Sequence, residues 1–186
     1  MLSALCDGLE KSMATCCSGC DIAVKLMELL QQHWQDTSGI NLSFCMAFAC
    51  ERDEDKRAFI NEQHGNRFPD FFNCAHLFRE MADSTIGTVF VPWSWLLVAG
   101  YSCTSISSSN TARKRYKACI QSGIACETSD TFWQIWDYIK AHLPHAVVLE
   151  NVKNLTLKIP ASDISGADYI VGLFEQLKYW CMYVLG

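Results

Sequence analysis

LLVAGYSCTSIS, Leu96 to Ser107, is the stretch on which the reading of this chain turns. An apolar run, Leu96 to Ala99, leads into Gly100, Tyr101 and Ser102, and a single cysteine follows inside a loop of small hydroxyl residues. A short apolar run bounded by glycine is the pattern of a strand buried on both faces of a parallel sheet. A cysteine with only a packing role sits within such a run as a small hydrophobe. Cys103 stands just past its end, where parallel strands deliver side chains to a cleft.

On either side of this stretch, short apolar runs alternate with helical patterns, the signature of βα units on a mostly parallel sheet with flanking helices. Strands are expected near Ser12 to Cys17, Leu42 to Cys50, Asn73 to Leu77, Trp95 to Tyr101, Ala146 to Glu150 and Trp180 to Leu185. Ile22, Val24, Leu26, Met27, Leu29 and Leu30 predict an apolar stripe on a first helix. Asp53 is placed to cap a second, running through Arg57, Ala58 and Ile60. Ser129 or Asp130 is placed to cap a third, with Phe132, Trp133, Ile135, Trp136 and Ile139 on its buried side. The segment SISSSNTARKRYK, Ser105 to Lys117, reads as a polar loop.

At 186 residues, half of them hydrophobic, the chain is long enough for one substantial core and is read as one domain, residues 1–186. A net charge of -5 gives no general basic field, so any nucleic-acid contact has to come from a local patch. The eleven cysteines fall mostly within apolar runs such as FCMAFAC at irregular spacing, which predicts reduced, buried thiols. The first residues, MLSALCDGLEKS, have neither a basic region nor a long apolar region of a secretory signal. FVPWSWLLVAG is too short to span a bilayer and is broken by Pro92, so no membrane partner is expected. A chain that is not secreted is expected in the nucleus if eukaryotic and otherwise in the cytoplasm.

The residues just after each expected strand are the ones to inspect. After the first comes CCSGCD, where Gly19 permits a tight turn at a helix N-terminus. An ordinary strand-to-helix connection is the plain alternative. After the second comes Glu51, an acid that suits the two hydroxyls of a ribose or, equally, the dipole at a helix start. After the third, Glu80 and Asp83 are acceptors suited to an adenine amino group, or solvent-facing charges. After the fourth comes Cys103. Glu150 ends the apolar run AVVLE, where burial of its carboxyl is costly unless it is hydrogen-bonded or protonated.

In order along the chain stand SGCD, CERDEDKRAFI, HLFRE, GYSCTSIS and TFWQIWDYIKAHLPHAVVLENV. Their order and spacing, over most of Met13 to Gly186, resemble the cytosine-5 DNA methyltransferase family. The resemblance implies a Rossmann-like class I fold dependent on S-adenosylmethionine, with duplex DNA carrying a flipped cytosine as substrate. It implies that Cys103 is the nucleophile that attacks carbon 6 of cytosine. Glu150, in Glu150-Asn151-Val152, then contacts the ring nitrogen and the exocyclic amine, with Asn151 beside it in the catalytic set. Cofactor contacts carry over onto Cys17, Ser18, Gly19, Cys20 and Asp21, onto Glu51 with Arg52, and onto Glu80, with Asp83 left open because the family's usual residue is Asp. Arg113, Lys114 and Arg115, with Lys117, fall in the family's mobile loop and are its phosphate contacts, or else a solvated run.

Two departures stand out. The family has Pro-Cys-Gln where this chain has Ser102-Cys103-Thr104, so the φ constraint of the proline is absent. After LKYWCMYVLG the family continues into an arginine-rich strand and a target-recognition region, so the chain reads as the cofactor and nucleophile half, incomplete at its C-terminus, with little or no turnover expected. A catalytically silent cofactor-binding or interaction module and a transfer RNA cytosine methyltransferase stay open as alternatives. Cys17-Ser-Gly-Cys20 alone also fits a thiol-disulfide oxidoreductase. No metal site is expected, since no second Cys or His pair stands at finger-like spacing.

Overall fold

The computed structural model describes residues 11–185 apart from 18, 20, 40–42, 114–117 and 160–161. Four parallel strands make up most of its sheet: β1 (Lys11–Cys16), β2 (Phe44–Cys50), β6 (Leu96–Ala99) and, at the edge, β7 (Ala146–Leu149). β3 (Asp70–Phe71) extends the sheet parallel to β2, and an antiparallel hairpin, β4 (Met81–Ser84) and β5 (Gly87–Phe90), closes that side. The order is β5-β4-β3-β2-β1-β6-β7. The chain steps outward from β1 to β2 and β3, then returns to lay β6 on the other side of β1. The crevice beyond the carboxyl ends of β1 and β6 is therefore the switch point at which such sheets bind ligands.

Helices α1 (Ile22–Ser38), α2 (Glu54–His64) and α4 (Glu127–His142) make the crossovers, with a single turn, α3 (Cys119–Ser122), before α4. A small pair, β8 (Lys158–Ile159) and β9 (Ser162–Ser165), leads into α5 (Gly166–Gln176). The last of these helices starts with a capping box in which Ser165 and Asp168 satisfy each other's backbone N–H. Among the described residues no helix is long and apolar enough to cross a membrane.

The main core lies between the sheet and α4. Phe48, fully buried, packs edge-on against Phe71 and Tyr138 with ring centroids 5.5 and 5.4 Å apart. Truncation of such a ring to alanine costs about 3–5 kcal/mol. The Tyr138 hydroxyl keeps a partner in this interior: it donates to the Pro92 carbonyl at 3.1 Å and lies 3.2 Å from the Ser94 hydroxyl. A buried phenol without such partners is destabilising.

Several sequence expectations need correction. Asn73 to Leu77 is not a strand: Cys74–His76 form a 3-10 turn capped by the Asn73 side chain, and the strand, Asp70–Phe71, ends two residues before Asn73. Trp180 to Leu185 carries no regular structure, and Trp180, Met182, Tyr183, Val184 and Leu185 are exposed. No ladder partner holds it among the described strands, so its apolar run does not become a strand. The stripe expected on α1 is also divided. Val24 is buried and Met27 packs beside it, whereas Ile22, Leu26 and Leu29 are exposed. α4 is capped by Cys126, whose sulfur accepts the Ser129 N–H, and Ser129 itself lies buried inside the first turn. Asp53 caps α2 as expected, accepting from the Lys56 N–H at 3.1 Å. Leu42, in the second expected strand, lies outside the described residues.

Candidate cofactor and nucleophile site

The turn after β1 is built from left-handed residues, Cys17 at φ 53, Gly19 at φ 63 and Asp21 at φ 59. Glycine adopts this conformation without cost, and the two side-chain residues flanking it do not. Glu51, only 7% exposed at the end of β2, fixes the turn. One carboxylate oxygen accepts the Gly19 N–H at 3.1 Å and the other accepts the Asp53 N–H at 3.0 Å. Each oxygen retains further acceptor capacity. Open space adjoins the turn, since a Cβ placed on Gly19 would meet nothing within 4 Å.

The other residues expected around a cofactor are distributed less simply. Ser18 and Cys20 lie outside the described residues. Asp21 is buried, with neither carboxylate oxygen hydrogen-bonded among the described residues and His64 Nε2 at 4.0 Å from it. Asp70 on β3 is equally buried and unpartnered. Burial, together with the Asp21 and Glu51 carboxylates, raises its pKa to about 7 against the opposing field of Arg57. Arg52 directs its guanidinium away from Glu51, to Glu127 at the start of α4, at 3.1 Å. Glu80 and Asp83 belong to the outer hairpin. Glu80 precedes β4, and Asp83 accepts a hydrogen bond from the Thr88 hydroxyl. The residues directly past β3 are Phe72 and Asn73, which the misplaced strand concealed.

Past β6 the chain enters the Cys103 loop, and Cys103 is half-buried. The Ser102 N–H donates to the Thr131 hydroxyl on α4 at 3.1 Å. The Ser102 and Thr104 hydroxyls lie 3.0 Å apart, and Thr104 in turn donates to Glu127 at 3.0 Å. Glu127 thus joins the nucleophile loop to Arg52 of the loop after β2. The Cys103 carbonyl accepts the Ile106 and Ser107 N–H groups at 3.1 and 2.8 Å, which closes the turn behind the thiol. Arg113 braces the same loop, its guanidinium donating to the Ser108 and Asn110 carbonyls at 2.9 and 3.3 Å. Lys114, Arg115 and Lys117 lie outside the described residues.

Glu150 follows β7, its N–H continuing the ladder to the Ala99 carbonyl at 2.9 Å. It is exposed, so the burial cost anticipated for a carboxyl ending an apolar run does not arise. Gly100 is where three strand ends converge. A Cβ there would stand 3.4 Å from the Cys17 carbonyl oxygen and 3.4 Å from Glu150 Oε2. The Asn151 side chain donates to the Tyr101 carbonyl at 2.9 Å, tying the Glu150 loop to the approach of Cys103. A cavity of 740 Å³ lies to one side, between β7, α5 and residues 179–185, and reaches the site only at Tyr101, Glu150 and Asn151. Among the described residues no group of three or more His, Cys, Asp or Glu is arranged to hold a metal ion.

A mostly parallel seven-stranded sheet with flanking helices, an acid at the end of β2 and a cysteine loop at the end of β6 define a Rossmann-like methyltransferase fold. The chain belongs to the C-5 cytosine-specific DNA methylase family, whose family model matches residues 78–185, a span that includes Cys103 and Glu150. It is similar to the DNA (cytosine-5-)-methyltransferase DMT5 of Cryptococcus neoformans var. grubii. The two are 28% identical over 181 residues, which make up 95% of this chain and 7% of that protein. The chain therefore spans a small part of that relative's length.

Proposed function

We propose that this chain binds S-adenosylmethionine beyond the carboxyl ends of β1 and β2 and presents Cys103 and Glu150 to a cytosine flipped out of duplex DNA. The cofactor, when bound, supplies an electrophilic methyl group. The residues fit such a ligand: open space beside Gly19 adjoins a carboxylate, Glu51, fixed by two backbone donors. Fixed in this way, Glu51 accepts from ribose hydroxyls without first having to be ordered.

The chain's own chemistry follows from the loops after β6 and β7. Cys103, as thiolate, adds to carbon 6 of the pyrimidine and turns carbon 5 into a nucleophile. Glu150 holds the ring by its exocyclic amine and shares a proton with the ring nitrogen, which offsets the negative charge developing there. The observation that carries this reading is the bond from Asn151 to the Tyr101 carbonyl, which joins the two loops that have to meet one base. Ser102, in the family's usual proline position, spends its N–H on Thr131, so hydrogen bonding to α4 does the holding that a fixed φ does elsewhere.

Duplex DNA containing 5-fluorocytosine, offered with S-adenosylmethionine, tests the proposal. The expected result is a covalent adduct on Cys103, which needs a single reaction round and not turnover, and which is absent in Cys103→Ser. Cofactor binding without any adduct favours a silent cofactor-binding module, and an adduct with transfer RNA but not DNA reassigns the substrate.

A further inference from the structure

Four thiols meet beneath the turn after β1. The parallel register places Cys16 opposite Cys50 at the ends of β1 and β2. The 3-10 turn after β3 lays Cys74 over them, its sulfur 3.4 Å from that of Cys50 and 3.7 Å from that of Cys17. No disulfide links the described cysteines. Ordinary packing does not require such a concentration, because any small apolar side chain fills a core position as well. Nor does Cys17 need a left-handed backbone for packing alone.

The thiols are not equivalent. Cys16, Cys50 and Cys74 are buried, whereas Cys17 is half-buried at the rim of the cleft. Hydrogen bonding from Cys74, with help from Arg52 and Lys56, lowers the Cys17 pKa against burial and the Glu51 carboxylate. For Cys74 the contact with Cys16 acts to lower the pKa, but those with Cys17 and Cys50 and its complete burial prevail and hold it well above the ordinary range. One accessible thiol inclined to ionise beside one that stays protonated is the division of labour of an attacking and a resolving cysteine. Cys50 is nearer to Cys74, but both sulfurs of that pair are buried with raised pKa values.

We propose that Cys17 and Cys74 form a peroxide-responsive pair whose disulfide ties the turn after β1 to the turn after β3 and weakens cofactor binding. The Cys17 thiolate attacks one peroxide oxygen, the O–O bond breaks, and Cys17 becomes a sulfenic acid as hydroxide leaves and is protonated to water. The Cys74 thiol then attacks the sulfenic sulfur, a disulfide forms, and a second water departs. Two thiols are oxidised and one peroxide is reduced to two waters. The sulfurs must close from 3.7 Å by about 1.7 Å. Cys74 is packed into the core, so the displacement falls on Cys17 and on Gly19 two residues beyond it. Gly19 is the residue whose N–H binds Glu51.

The effect on binding rests on the cofactor reading above, whereas the disulfide does not, and the test separates them. The reduced chain and its Cys17→Ser, Cys74→Ser and Cys50→Ser variants are treated with hydrogen peroxide, blocked with N-ethylmaleimide and mapped by mass spectrometry. Each is titrated with S-adenosylhomocysteine before and after treatment, with folding checked by circular dichroism. The expected result is a Cys17–Cys74 cross-linked peptide that dithiothreitol reverses, present in wild type and Cys50→Ser and absent in the other two. Affinity should fall at least about tenfold on oxidation wherever the cross-link forms and hold constant where it does not. A bond to Cys20 or between Cys50 and Cys74, over-oxidation of Cys17 without a cross-link, or a cross-link that leaves affinity unchanged overturns the proposal. If the reduced chain binds no S-adenosylhomocysteine, the cofactor reading and the gating effect fail together, and the cross-linked peptide still decides whether the pair exists.

Discussion

The backbone N–H of Ser102 donates to the hydroxyl of Thr131 at 3.1 Å, which couples the loop carrying Cys103 to the N-terminal part of α4. A proline at this position has no N–H to give. Ser102→Pro, which restores the residue usual in the family, should therefore destabilise this chain by about 1 kcal/mol. For a chain of this size that lowers Tm by about 2–4 °C. Thr131→Val should cost a similar amount. Because each change removes the same bond, the double variant should be no worse than the larger single one, a non-additivity that thermal melts of all four chains can read.

Glu127 bonds Thr104 at 3.0 Å and Arg52 at 3.1 Å, linking the nucleophile loop to the loop after β2. Arg52 is largely and Glu127 partly exposed, so the link acts on geometry more than on stability. Glu127→Ala should raise the rate of Cys103 alkylation by iodoacetamide about two- to fivefold with almost no change in Tm. High salt should narrow the difference between the two chains by screening the Arg52–Glu127 pair, and leave the part due to the Thr104 hydrogen bond.

Asp70 supplies a pH dependence whose sign is fixed by its environment. Burial and two neighbouring carboxylates raise its folded pKa from 3.8 to about 7, so between those values the folded state holds a proton that the unfolded chain has released. Stability contributed by the neutral carboxyl is present below the unfolded pKa and is lost as pH rises through about 7. Asp70→Asn, neutral throughout, should raise Tm at pH 8 and change it little at pH 4. Equal effects at the two pH values would show that the carboxyl is stabilised by a partner instead.

Much of this architecture is legible because the central strands are read from their own residues. Leu96 to Ala99, inside the sheet, and Ala146 to Leu149, at its edge, are wholly apolar, and Cys103 and Glu150 stand just past them. β3 is illegible for the opposite reason. It is two residues long and one is an aspartate, so the apolar Cys74 to Leu77 beside it attracts the assignment, and the residues inspected past the strand become Glu80 and Asp83 in place of Phe72 and Asn73. The β4–β5 hairpin alternates exposed Met81 and Asp83 with buried Ala82 and Ser84, too small a hydrophobic contrast to announce a strand. Thr131, Glu127 and Cys74 act across 29, 23 and 57 residues of sequence, respectively, and no local pattern encodes partners at that range.

That the turn after β1, fixed by Glu51, is a cofactor site is open to calorimetric titration with S-adenosylhomocysteine. Glu51 meets the Gly19 and Asp53 N–H groups at 3.1 and 3.0 Å. Its replacement removes both a ligand acceptor and the bond that shapes the turn. Saturable one-to-one binding is expected, which Glu51→Ala weakens by about 10- to 100-fold, the equivalent of about 1.5–3 kcal/mol, and which Cys103→Ser leaves intact. Binding that is absent in the reduced wild-type chain, or that survives Glu51→Ala unchanged, would contradict it.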